Sequence, residues 1–103
     1  MKNVLLSHDG PISVYSVPDE VADHLRQYCD EFDDHWLRTS PHAAKYRVNL
    51  GDTVGFCFNE KDFIDYLNQH VCQEPSVLVE TLSGIYMWEE VPEKYRDLPR
   101  FNF

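Results

Sequence analysis

Glycine is scarce in this chain. Its four glycines, Gly10, Gly51, Gly55 and Gly84, stand apart from one another. A phosphate cradle needs glycines at close, fixed spacing, so no P-loop or dinucleotide-binding turn is encoded. The nucleophile elbow G-x-S-x-G is missing too. The three cysteines, Cys29, Cys57 and Cys72, form no CxxC pair. That pattern argues against a zinc ribbon or redox dithiol and suits small thiols in a reducing compartment. Cys29, on an apolar helix face, and Cys57, inside VGFCF, are expected to be buried and unreactive. Long hydrophobic runs are also lacking. The N-terminal MKNVLLSHDG holds only three consecutive apolar residues, and nothing approaches the ~20 of a membrane span. The expectation is a cytoplasmic protein with no membrane partner.

Positive charge is the most informative shortage. Nine Lys and Arg face 18 Asp and Glu, for a formal net charge of -9. Nucleic acid and anionic membranes repel such a chain, whereas basic proteins and cations attract it. The charge lies just beyond the roughly 2–8 units usual for small soluble domains. What the chain has in quantity is apolar and aromatic side chains, 43% and 14% of residues, enough to give 103 residues an ordinary core. One domain over residues 1–103 is expected.

Residues 2–7 and 12–17 are β-rich and flank HDGP, a turn signal, so they read as a hairpin. In the second strand Ile12, Val14 and Ser16 share one face, and Ser13, Tyr15 and Val17 the other. Pro18 opens a helix that is expected to run to about Arg38. Its apolar stripe is Val21, Leu25, Tyr28, Cys29, Phe32 and Trp36. Pro41 to Tyr46 reads as a short helical turn. Residues 46–50 and 54–58 read as strands joined through Gly51-Asp52-Thr53. Asn59 caps a second helix with Asp62 at its N3 position, and Phe63, Ile64, Leu67 and Val71 form its apolar side. SVLVETL (76–82) reads as a strand that Ser83-Gly84 turns into another at 85–90. VPEKYRDLP reads as a short helical turn, and FNF as an aromatic tail, either pinned to the domain or free to make contacts. The fold class is α+β: a mostly antiparallel sheet with two amphipathic helices packed on it, on one face.

The stretch CDEFDDHW crowds four carboxylates into eight positions. From Asp19 to Asp34 the acids are Asp19, Glu20, Asp23, Asp30, Glu31, Asp33 and Asp34, against one base, Arg26. On an ideal helix they occupy an arc of about 160°, opposite the apolar stripe. They would span roughly 24 Å, or about one charge per 3.4 Å of axis. A single DNA strand carries one phosphate per roughly 3.4 Å. One reading is a solvated helix face. The other is a binding face, favoured because Asp30, Glu31, Asp33 and Asp34 sit where the helix dipole disfavours anions. Asp30 and Asp34 are also a like-charged i,i+4 pair.

A metal site is the remaining reading of that stretch. Glu20 with His24, and Glu31 with His35, stand at i,i+4 spacing. The D-x-D-x-D-G loop, HExxH and paired Glu-x-x-His patterns are all missing. His8, His24, His35, His42 and His70 are scattered and read as surface or edge residues. No catalytic residue, metal ligand or cofactor is therefore assigned. One basic stretch, RTSPHAAKYR, carries Arg38, Lys45 and Arg47. It reads as a loop balancing the acidic helix, with a small anion site as the alternative.

The combination of YSVPDEVADHL, SPHAAKYRV, FNEKDFIDYLN, EPSVLVETL and PEKYRDLPRFNF resembles small acidic proteins of unassigned activity from gut-bacterial genomes and mobile elements. The resemblance covers nearly the whole chain and implies an accessory, conflict-related role without supplying any catalytic residue. Three functional readings result. The first is a non-catalytic inhibitor whose acidic face, residues 19–34, mimics nucleic acid and occupies the basic channel of a nuclease or CRISPR effector, as an anti-CRISPR or nuclease-immunity protein would. The second is a structural or regulatory adaptor, homodimeric through the aromatic segment Tyr86 to Phe103. The third is a small enzyme using His and carboxylates in a cleft.

Overall fold

The computed structural model describes residues 1–103. Strands β1 (Lys2–Ser7) and β2 (Ser13–Val17) form the expected antiparallel hairpin, in a register that pairs Lys2 with Val17 and Leu6 with Ser13. Asp9 makes the turn with φ 55°, in the left-handed region that aspartate tolerates better than most residues. Strand β5 (Val77–Thr81) pairs antiparallel with β2. Strand β6 (Arg100–Asn102) pairs parallel with β1. The sheet order is therefore β5-β2-β1-β6, with two antiparallel pairings and one parallel. A separate hairpin, β3 (Arg47–Asn49) and β4 (Val54–Phe56), turns through Gly51 at φ 83°. The fold is α+β.

The alternation read in β2 has the consequence expected of it. Tyr15 and Val17, with Val4 and Leu6 of β1, join the larger core beneath the helices. Ile12 and Val14, with Leu5, join a second core on the opposite face, closed by Leu82, Val91 and Tyr95. Both faces of the hairpin are thus covered, by helices on one side and by the chain from Leu82 to Leu98 on the other. Val4, Leu5 and Leu6 are wholly buried, and each contributes about 1.5–3 kcal/mol by leaving water.

Several expectations are corrected. The helix expected from Pro18 to Arg38 is not one straight rod. Helix α1 (Asp19–Asp23) ends at His24, whose φ of -130° and ψ of 39° break the helical path. Helix α2 (Leu25–Asp30) follows, then a π-helical stretch, Glu31–Trp36, and a last turn, α3 (Leu37–Thr39). The strand expected at 85–90 does not form; Trp88–Glu90 makes a 3-10 turn instead. The FNF tail is no free tail: β6 includes Phe101, and Phe101 and Phe103 pack on the larger core. Helix α4 (Glu60–Tyr66) has the expected capping box, with Asn59 accepting from the Asp62 N–H at 3.1 Å and Asp62 accepting from the Asn59 N–H at 2.9 Å. It continues as a π-helical turn, Leu67–Val71, which leaves Val71 exposed rather than on the apolar side. No helix is long and apolar enough to cross a membrane.

Candidate functional site: the acidic segment and its cleft

The acidic segment is positioned by its apolar stripe. Val21, Leu25, Cys29 and Phe32 are buried, and Tyr28 and Trp36 pack against the same core. Phe32 anchors the π-helical stretch. Its ring lies 5.1–6.0 Å from those of Trp36, Phe58, Phe63, Tyr66 and Phe103. This fixes which carboxylates reach solvent.

The seven acids do not form one uniform arc. Asp19 meets the N-terminal ammonium at 2.8 Å, and Asp23 meets Lys2 at 2.7 Å. The hydrogen bond from that ammonium holds the Asp19 carboxyl below its ordinary range. These two acids fasten α1 to the start of β1, an interaction invisible to a helical wheel. Glu20 and Glu31 face histidines one turn on, at 3.4 Å from His24 and 2.6 Å from His35. Arg26 lies 3.7 Å from Asp30. Asp33 and Asp34 take part in no ion pair. Asp34 is exposed, but the π-helical winding turns Asp33 partly inward. Burial first, then the Asp34 charge, pushes the Asp33 carboxyl up, against opposing effects of Arg38 and His8. The ideal arc of about 160° assumed uniform α geometry, and the break at His24 and the wider turn at 31–36 remove that assumption.

The basic stretch 38–47 is occupied with structure. The Arg47 guanidinium donates to the Leu37 carbonyl in the last helical turn at 2.8 Å and to the Ser40 carbonyl at 2.7 Å, which also accepts from the Ala43 N–H at 3.1 Å. Arg38 lies over the Phe56 ring at 4.8 Å, and Lys45 over the Tyr46 ring at 5.1 Å. Each of the three cations of the stretch thus has a contact within the fold, Arg47 with two carbonyls and Arg38 and Lys45 with aromatic rings. The thiols also divide: Cys29 is buried as expected, whereas Cys57 is exposed, because β4 stops at Phe56 and lies in the small outer hairpin. No group of three or more His, Cys, Asp and Glu is arranged to hold a metal ion. His42 and His70, distant in sequence, come together with ring centroids 4.9 Å apart.

A cleft of about 260 Å³ opens between α2 and the end of α4. Its lining is Glu20, Gln27, Tyr28, Glu31, Tyr66 and Val71, with no histidine or cysteine. Tyr66 escaped the sequence reading, although its place three residues after Phe63 and one before Leu67 sets it on the buried face of the helix. Burial, then the Glu31 charge, pushes the Tyr66 phenol up to about 12. Burial and Glu20 push Tyr28 up as well. Both phenols are therefore neutral and keep their protons at physiological pH.

Another exposed feature was not foreseen. Every residue of edge strand β5 is exposed, including Val77, Leu78 and Val79. By contrast, the segment Tyr86 to Phe103 is largely committed to the fold: Val91 and Tyr95 are buried, and Phe101 and Phe103 pack on the core. Its large exposed apolar side chains are Tyr86 and Met87, and Trp88 is part-exposed beside them.

No protein-family model, curated protein or solved structure matches this chain.

Proposed function

We propose that this protein is a non-catalytic inhibitor that binds the positively charged, nucleic-acid-binding surface of another protein. The observation that carries the reading is the Asp33–Asp34 step. In a chain of net charge -9, these adjacent carboxylates lie on the acidic segment without an ion-pair partner. Asp30 stands one turn before Asp34, a like-charged i,i+4 pair, and burial and the Asp34 charge both oppose ionisation of Asp33. A local cost with no return inside the fold is what a contact surface would carry. A basic channel of a nuclease or CRISPR effector is the matching chemistry, and the accessory, mobile-element character implied by the resemblance is consistent with it. Asp30, Glu31, Asp33 and Asp34 provide the contacts, with Glu20 beside them. Asp19 and Asp23, tied to the N-terminus and Lys2, contribute to the surrounding field.

Immobilised protein exposed at low salt to a lysate of its source cells tests this. The expected capture is a basic nucleic-acid-binding protein that the inhibitor displaces from DNA or RNA. Reversing Asp30 and Asp34 to Lys should abolish capture while leaving the thermal melt intact. Capture that survives the reversal removes the acidic segment as the contact.

A second reading, self-association as a structural or regulatory adaptor, is favoured by β5. Its Val77, Leu78 and Val79 are about half exposed on an edge strand, the type of surface that recruits another strand. The opposite edge, β6, is shorter and carries Arg100. In this reading two chains join β5 to β5, and Leu78→Lys converts a dimer to a monomer by light scattering. A wild-type protein monomeric at high concentration ends it.

A further inference from the structure

Tyr66 is only 6% exposed, and Tyr95 is the one tyrosine whose hydroxyl bonds within the protein, to Glu80. The Tyr66 hydroxyl has no protein partner, and it belongs to a nearly buried side chain that lines the cleft between α2 and α4, where the hydroxyl itself still reaches solvent. Water in the cleft satisfies it in the free protein, and a ligand entering the cleft can replace that water with a polar group of its own. Around it stand three more acceptors: the carboxylates of Glu20 and Glu31 and the Gln27 side-chain oxygen. Glu31 engages His35 through Oε1, which leaves its second oxygen free. Tyr28 adds an aromatic ring, and Val71 an exposed apolar side chain.

We infer that this cleft receives an arginine side chain projecting from the basic partner, an inference that rests on the basic-partner reading above. The volume of about 260 Å³ accommodates one side chain and lies below the ~300–1,000 Å³ usual for small-molecule sites. The lining carries carboxylates and no cation, which selects a positive occupant. Its four acceptor groups outnumber the three donors of an ammonium but suit the five of a planar guanidinium. The tyrosine rings give the guanidinium a face to stack on, and Val71 covers the aliphatic stem. Arginine in a pocket is also the residue type that most often dominates a protein interface. Asp33 and Asp34 would then steer the partner, while the cleft anchors it.

The test titrates N-acetyl-arginine methylamide into isotopically labelled full-length protein and follows amide chemical shifts. Saturable shifts centred on residues 27, 28, 31, 66 and 71 are expected, with millimolar affinity. The neutral citrulline analogue should bind about tenfold more weakly, and Tyr66→Phe and Glu31→Gln should each weaken the arginine probe by a similar factor. Tyr66→Phe retains the ring, and unchanged spectral dispersion verifies the fold. Shifts that do not saturate, that centre on Asp33 and Asp34, or that citrulline reproduces equally overturn the assignment. The two readings fail separately. A captured basic partner that loses affinity with the Asp30 and Asp34 reversals but ignores Tyr66→Phe and Glu31→Gln rejects the cleft alone. A cleft that binds the arginine probe in a protein that captures no basic partner rejects the inhibitor reading alone.

Discussion

Adjacent residues can be put to opposite uses. Phe32 is fully buried among five aromatic rings, while Asp33 beside it is pulled partly out of water by the same π-helical winding. Burial raises the Asp33 carboxyl above its ordinary value, with Asp34 adding to the shift. The native state therefore holds the Asp33 proton to higher pH than the unfolded chain does. Between the unfolded value, near 3.9, and the raised native value, the native state binds more protons, so this residue's contribution makes stability fall as pH rises through that window. Asp33→Asn should accordingly raise the melting temperature at pH near 7. The gain should shrink as pH falls below the native pKa, and melts recorded across that range measure it. A lower melting temperature at neutral pH would mean that the carboxylate makes a stabilising contact instead. Asp19 has the reverse sign: its lowered carboxyl pKa contributes stability above the unfolded value, lost on acidification through the folded value.

At the scale of elements, β6 has more consequence than its three residues imply. It pairs Leu5, Leu6 and Ser7 with Arg100, Phe101 and Asn102, completing the hydrogen bonding of the central strand β1. The Phe103 N–H donates to the Ser7 carbonyl at 3.0 Å, and the Phe103 ring lies 5.4 Å from that of Phe63. Removing residues 99–103 should thus lose cooperative unfolding, measured by chemical denaturation, rather than free a soluble domain from a dispensable tail. Retention of a sharp transition at an unchanged midpoint would contradict this role. How much was legible differs element by element. The β1–β2 hairpin and the α4 cap follow from nearest-neighbour chemistry: an Asp-Gly turn, alternating faces, and an Asn59–Asp62 box three residues apart. The pairing of β6 with β1 joins residues more than 90 positions apart, and nothing local in RFN declares a partner. The expected strand at 85–90 failed for a related reason. Past the turn at Gly84, the Ile85 carbonyl accepts from the Ile12 N–H at 2.9 Å and the chain leaves the sheet to cover its second face.

For the whole molecule, charge separates the two functional readings. A chain of net charge -9 repels its own copy and attracts a basic surface. Raising salt from low to near-physiological levels shortens the Debye length to about 8 Å. Binding to the basic partner should weaken steeply over that range, whereas association through the apolar β5 edge should hold or strengthen. Sedimentation of the protein alone, beside titration with the captured partner, reads both slopes. Salt-insensitive partner binding would mean that contacts other than the acidic segment dominate.

The sequence by itself determined the fold class, the β1–β2 hairpin with its two faces, the cap of α4 and the concentration of acid between Asp19 and Asp34. These depend on periodicity, turn chemistry and charge, which act between near neighbours. Only the tertiary structure decided which acids remain unpaired, that the 38–47 cations serve the fold, that the C-terminal aromatics close the core, and that Tyr66 meets Glu20 and Glu31 across a cleft. Those outcomes depend on where a kink at His24 and a π-turn at 31–36 aim each side chain, and on contacts between segments far apart in the chain. A helical wheel assumes the uniform winding that these two irregularities break.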